Sequence, residues 1–479
     1  MRLIITFDRN FQQFNHKQVL YANASRYTSI KMRVHFIAIG GAVMHNLAIA
    51  LKNKEYNVSG SDDEIFEPSR SRLEKHGLLP LKWGWDTSRI STDIDTVILG
   101  MHAKADNPEL LRARDLGLKI MSFPEYLYDQ TRNKKRIVIA GSHGKTTTTA
   151  MIMHVLQVLG IKFDYMVGSQ IDGFETMVGL SDEARIAVFE GDEYLTSALD
   201  KRPKFHLYMP DIAVLNGIAW DHMNVFPTFE NYIEQFRIFT EKISDNGTLI
   251  YFDGDQEVKK VALSAPENIR KIPYKVHGYF QNKTGFYAAT HNRVIPVKIF
   301  GEHNMQNLSA AREVCLAVGI SEDNFYEAIK SFEGTSRRLQ KLKENKNGTV
   351  YLDFAHSPSK VKATVDAIES RFPDREIIVC LELHTFSSLS SNFLPLYKGT
   401  LSNAKYAFIY FNPHAIKLKN LEPLSKETVY KAFGGENIKV YDNSKEMFSY
   451  IKYQNYHYPV YLLMSSGDFD GFDINQLID

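Results

Sequence analysis

Short apolar runs rich in β-branched residues alternate along this chain with stretches whose apolar positions recur every three or four residues. The first run, Val34–Ile39, leads into an amphipathic stretch reaching about Lys54. Asn57–Gly60, a helical pattern near Ser69–Lys75 and a strand at Thr96–Met101 follow. Runs of this length read as buried strands, and the three-to-four spacing reads as helices packed against them. Strands alternating with helices predict a parallel sheet of Rossmann type. Asn107-Pro108-Glu109 then offers a helix cap, a proline at the first helical position and an early acid.

After an Arg- and Lys-rich linker around Gln130–Lys135 the pattern restarts, with strands at Arg136–Ala140, Arg185–Phe189 and Ile212–Leu215. Residues 246–300 read as short strands and turns. The alternation returns at Thr349–Leu352, a helix over Ser359–Ser370, Glu376–Leu381, Tyr406–Phe411, Ile438–Val440 and Val460–Met464. The expectation is an α/β chain of three domains: a Rossmann-like domain over 32–132, a central domain with a mainly parallel sheet over 133–331, and a second Rossmann-like domain over 332–479. Residues 1–31 hold one acidic residue, Asp8, and one short apolar run, Leu3–Phe7, too weak for a signal peptide. A strand begins directly after Met32, so the fold is expected to start there.

Composition narrows the function. The 57 basic and 56 acidic residues nearly cancel, which argues against a nucleic-acid or membrane-surface binder. Two cysteines, Cys315 and Cys380, are too few for a disulfide framework or a zinc site. No apolar stretch reaches the roughly 18 residues of a membrane span; Val34–Leu51 is interrupted by His35, His45 and Asn46. A soluble, cytoplasmic protein is expected, acting as a monomer.

The chemistry centres on Gly141-Ser142-His143-Gly144-Lys145-Thr146-Thr147-Thr148-Thr149, placed between a strand and a helix. Glycines let backbone N–H groups converge on an anion, and the helix N-terminus adds partial positive charge. Lys145 can reach outer phosphates, and the Thr146 hydroxyl can ligate Mg²⁺. The loop is a shortened G-x-x-G-K-T, since Ile139 stands where the usual first glycine would fall. Later in the same domain come Glu190-Gly191-Asp192-Glu193 and Asn216 to Asp221-His222, each at the carboxyl end of a strand. They read as Mg²⁺ ligands or, taken alone, as a solvated acidic loop. In the first domain, Gly40-Gly41 form a degraded dinucleotide turn and Asp62 an acid about twenty residues on. These raise an NAD-dependent oxidoreductase as a competing reading.

Four blocks taken in order resemble the Mur ligase family: Gly141–Thr149, then Glu190–Glu193 with Asn216–His222, then His303-Asn304 with Arg337-Arg338, then Asp353–His356. The resemblance covers Met32 to Asp479. It implies a UDP-sugar-binding domain, a central ATPase domain and a C-terminal domain closing on both. It also implies ATP and Mg²⁺ as cofactors, with UDP-N-acetylmuramate and a murein peptide as substrates. Lys145, Glu190, His222 and Arg338 would be catalytic, with Thr146, Glu190 and His222 on metal. Asn304 would contact adenine, Asp353 ribose and Arg338 phosphates. Gly40, Gly41, Asp62 and His102 would hold the UDP-sugar.

Within the family the chain is most similar to members that attach L-alanyl-γ-D-glutamyl-meso-diaminopimelate. The features are Asp200-Lys-Arg-Pro-Lys-Phe205, Val43 before Met44 in place of a later glycine, and Met464-Ser-Ser-Gly-Asp-Phe-Asp-Gly471. Leu383–Ser388 lacks the arginine of alanine-adding members, and Lys201 and Arg202 are candidates to meet peptide carboxylates. Addition of L-alanine, and an inactive Mur-like binding protein, remain alternatives. Ala38, Leu352 and Ser357 depart from the family pattern. Several members carry a carbamylated lysine that helps hold a second metal ion, where this chain has Phe236.

Overall fold

A computed structural model describes residues 32–101, 103–282 and 285–478. The expectations for residues 1–31 and for His102 therefore lie outside the described residues. In the N-terminal sheet, strands Asn57–Ser61, Arg33–Ile37, Thr96–Leu99 and Ile120–Ser122 run side by side in that order, all parallel. The helix Ala42–Asn53 buries Leu47, Ile49 and Leu51 in the same apolar cluster as Val34 and Phe36.

The central sheet is ordered Arg270–Tyr274, Thr248–Phe252, Ile212–Leu215, Lys135–Ala140, Ile186–Glu190, Phe163–Met166, Val178–Gly179. Its last pairing is antiparallel and the others are parallel. Its middle strands carry unbroken apolar runs, Ile137–Ala140 and Ile212–Leu215, because both faces are covered. One face packs Met151, Ile152 and Val155 of the helix Lys145–Val158 with Leu308 and Val314 of the helix Glu302–Ala317. The other buries Phe205, Phe236 and Phe239 in a cluster continuous with the N-terminal core. Asn46 reinforces that join by accepting the Met177 N–H at 2.9 Å.

The segment 246–300 holds more than short strands and turns. A helix at Gln256–Ser264 is capped by Asp255, whose carboxylate accepts the N–H groups of Glu257 and Val258. Its apolar face is only Val258, Val261 and Ala262, a stripe too thin for periodicity to reveal. Antiparallel strands Tyr279–Asn282, Gly285–Ala289 and Val294–Val297 follow.

The C-terminal sheet runs Gln340–Asn345, Gly348–Asp353, Val460–Met464, Ile377–Leu383, Tyr406–Phe411, Ile438–Tyr441. It is parallel except for the first pair, which is an antiparallel hairpin. The added edge strand is polar, with Lys341, Lys343 and Glu344, as an exposed edge favours, so it left no apolar signal. No described helix is long and apolar enough to cross a membrane.

A candidate nucleotide cleft between the central and C-terminal domains

The strand Lys135–Ala140 lies in the middle of its sheet, so the loop after it opens at the carboxyl edge, where α/β sheets hold ligands. Gly141 and Gly144 adopt φ of 123° and 67°, which turns the chain into the helix at Lys145. A Cβ on Gly144 would lie 2.0 Å from Asn307 Oδ1. The Ser142 N–H donates to Gly217 O at 2.8 Å, and the Ala219 N–H donates to Ser142 Oγ at 2.8 Å. The loop is thereby fixed against the segment that carries Asp221 and His222.

Lys145 Nζ donates to Gly141 O and to Glu193 Oε2, each at 2.7 Å. The Glu193 carboxylate also accepts Tyr232 OH at 2.9 Å and lies 3.6 Å from His222 Nε2. Burial raises the pKa of Glu193, but the Lys145 and His222 charges outweigh it and hold the carboxyl well below its ordinary value. Burial likewise opposes the charged form of His222, and Glu193 with Asp221 reverses this, leaving the imidazole above its usual pKa. Glu190 accepts Thr146 Oγ1 and the Gly168 N–H, both at 2.8 Å. With Glu190 7% and Glu193 1% exposed, the acidic segment is not a solvated loop. Asp192, beside them, is paired with Lys204.

The C-terminal domain supplies the opposite wall. Asp353 accepts the N–H groups of Leu339 and Ala355, each at 2.7 Å. The Arg338 guanidinium lies 5.0 Å from the Phe354 ring centroid. His143 Nε2 meets Ser359 Oγ at 2.6 Å, joining the phosphate loop to the helix Pro358–Arg371. Burial, then Lys360 and Lys145, push the His143 pKa down to about 3, so this histidine is neutral. Ser142 to Thr147, Glu190, Asn304, Arg338 and Asp353 all line this one cleft. Asn304 belongs to the helix Glu302–Ala317, and its amide donates to Phe300 O at 2.9 Å. Thr146, Glu190 and Arg338 also border a second cavity, lined by Val43, Met166, Lys204, Arg337 and Phe354.

Other expected residues fall elsewhere. Gly40 and Asp62 do meet, but through the Gly40 N–H donating to Asp62 Oδ2 at 2.7 Å. That fully buried carboxylate braces its own turn, and Gly40, Gly41 and Asp62 line neither cavity. His222 faces Glu193, not the Thr146–Glu190 pair. Arg202 is tied to Asp200 and Glu125 on an exposed surface, and neither it nor Lys201 reaches the cleft. Lys204 is the cation of that segment which borders the second cavity. The sequence reading missed Lys360 and Asn307, which line the cleft. Lys360 had one signal, a cation in the first turn of a helix, where the dipole disfavours it.

A magnesium ion takes oxygen ligands and keeps several waters, so it needs few protein groups. The adjacent Thr146 hydroxyl and Glu190 carboxylate fit that requirement. Among the described residues no three His, Cys, Asp or Glu side chains are grouped to hold a metal; His222 Nε2 lies 3.6 Å from Glu193 Oε1.

A phosphate loop facing a cation-bearing second domain marks a nucleotide-using enzyme. Comparison with known proteins defines the kind. The model of the Mur ligase middle domain matches residues 139–315, and that of the Mur ligase family catalytic domain matches residues 33–135. The UDP-N-acetylmuramate–L-alanyl-γ-D-glutamyl-meso-2,6-diaminoheptandioate ligase of Escherichia coli is 31% identical, over 71% of this chain and 76% of its own. The UDP-N-acetylmuramate–L-alanine ligase of Limosilactobacillus reuteri is 28% identical, over 92% of this chain and 97% of its own. A murein peptide ligase of Psychrobacter arcticus shares the fold, with a TM-score of 0.63 at 22% identity, over 93% of this chain and 98% of its own.

The chain belongs to the Mur ligase family. It is an ATP-dependent amide ligase of three α/β domains, which sets the oxidoreductase reading aside.

Proposed function

We propose that the chain joins UDP-N-acetylmuramate to L-alanyl-γ-D-glutamyl-meso-diaminopimelate, using ATP with Mg²⁺. The observation that carries this reading is the second cavity, which shares Thr146, Glu190 and Arg338 with the nucleotide cleft and is bordered by Arg337, Arg338 and the Lys204–Asp192 pair. A tripeptide with several carboxylates needs more room and more cations than free alanine, which carries a single carboxylate.

A carboxylate and an amine do not condense in water. In the proposed course the muramyl carboxylate attacks the γ-phosphorus, forming an acyl phosphate, and the peptide amine then displaces phosphate. Phosphoryl transfer asks mainly for positioning and charge neutralisation. Lys145 and the Gly141–Thr147 amides would bind the phosphates, and Arg338 would approach them from the C-terminal domain. Thr146 and Glu190 would hold a magnesium ion, which supplies charge neutralisation at the phosphates when bound. Asn304 is placed for the base, and Asp353 for the ribose.

The alanine-adding reading is favoured by a different observation, the longer match to the L. reuteri ligase, 92% of this chain against 71% for the E. coli enzyme. The two are separated by amide formation from UDP-N-acetylmuramate and ATP, with free L-alanine and the tripeptide compared at equal concentration. The tripeptide is expected to win on kcat/KM; preference for alanine would make the chain an alanine-adding ligase.

A further inference from the structure

The helix Pro358–Arg371 has no acid in its first turn and no side-chain hydrogen bond at its N-cap, Ser357. Its third residue, Lys360, opposes the positive end of the helix dipole, so an anion is needed nearby. The Lys360 side chain is only 19% exposed and lines the same cleft as Gly144, Lys145 and Thr146. Its Nζ lies 3.3 Å from Asp221 Oδ2, a contact from the C-terminal to the central domain. The preceding residue, Ser359, touches His143 of the phosphate loop. Two helix N-termini, at Lys145 and Pro358, therefore open on one cleft.

The charges lining this cleft are unequal. Lys145, Arg338 and Lys360 face Glu190 and Asp353. Both carboxylates are already engaged, Glu190 by Thr146 and the Gly168 N–H, Asp353 by two backbone N–H groups. Lys145 and Lys360 are held in turn by Glu193 and Asp221, carboxylates that do not line the cleft, so the lining itself is cationic and a ligand carrying several negative charges could draw both ammonium groups onto itself.

We infer that Lys360 is a phosphate-binding residue delivered by the C-terminal domain, its ammonium passing from Asp221 to a phosphate oxygen when ATP binds. The inference rests on the ATP reading of the cleft and adds to it a route by which nucleotide charge draws two domains together. The loop lysine grips the phosphates from the central domain, and Lys360 grips them from the other side.

The test is titration of the complete chain with ATP in the presence of Mg²⁺, and with adenosine, which lacks phosphate. A hydrogen bond to a charged group is worth about ten-fold or more in affinity. Lys360→Ala and Lys360→Gln should weaken ATP binding by about that factor and leave adenosine within about two-fold. Lys360→Arg, which keeps the charge, should retain most of the ATP affinity. Equal loss for ATP and adenosine, or unchanged ATP affinity in Lys360→Gln, would overturn the assignment. If the parent chain binds adenosine but gains nothing from the phosphates, the ATP reading itself fails.

Discussion

Replacing Lys145 by alanine would strip Glu193 of its nearest cation. That carboxylate is 1% exposed and would keep only the Tyr232 hydroxyl at 2.9 Å and His222 Nε2 at 3.6 Å. Breaking a buried pair by removing one partner costs about 3–5 kcal/mol. Because His222 carries part of the compensating charge, the lower end, about 3 kcal/mol, is expected. Urea unfolding without nucleotide or divalent ion would measure it.

The pH dependence has a definite sign. In the parent, the Glu193 pKa is depressed below the ordinary 4.5, so its stabilising contribution is complete above that value and is lost as pH falls through the depressed one. The variant lacks that contribution, so the two stability curves should converge in acid below about pH 4.5. Lys145→Ala with Glu193→Gln removes both charges and should return to within about 1 kcal/mol of the parent. Turnover in both variants should remain about 10²–10³-fold down, the usual cost of losing a fixed charge at a transition state. A double variant still about 3 kcal/mol unstable would mean that Lys145 acts through packing, not charge. Recovery of turnover would remove Lys145 from phosphoryl transfer.

Two further expectations concern the same cleft. Gly144→Ala places a methyl group 2.0 Å from Asn307 Oδ1 at a φ of +67°, so ATP-dependent turnover should fall at least about ten-fold, read by phosphate release. Phe236 is fully buried among Phe205, Tyr232 and Phe239 and has no group that carbon dioxide could modify; adding bicarbonate to a CO₂-depleted assay should leave the rate unchanged, and a clear rise would contradict this.

Much of the fold was legible because parallel strands buried on both faces read as continuous apolar runs, as in Ile212–Leu215, Tyr406–Phe411 and Val460–Met464. The phosphate loop was legible because its glycines, lysine and threonine are consecutive. The polar edge strand Gln340–Asn345 and the thin-striped helix Gln256–Ser264 left no comparable pattern. The pairings that organise the cleft were also hidden. Lys145 meets Glu193 across 48 positions, and Lys360 meets Asp221 across 139, so only the tertiary fold brings them together. Asp62 carries a related ambiguity: a carboxylate at ribose-binding spacing is equally able to hold the N–H of the glycine turn, and here it accepts the Gly40 N–H.

The ion pair between Lys145 and Glu193 also bears on which solutes the cleft ignores. Cells are crowded with inorganic phosphate and small phosphorylated metabolites, and an unshielded lysine at a helix N-terminus would attract any of them. Here an incoming anion must first compete with a carboxylate 2.7 Å from the ammonium, inside a wall that excludes water from Glu193. A single phosphate group would bring few contacts with which to do so. A ligand that spans the loop, the Asn304 helix and the C-terminal wall would bring more, so the pair that holds the lysine ready would also favour such a ligand over a lone anion.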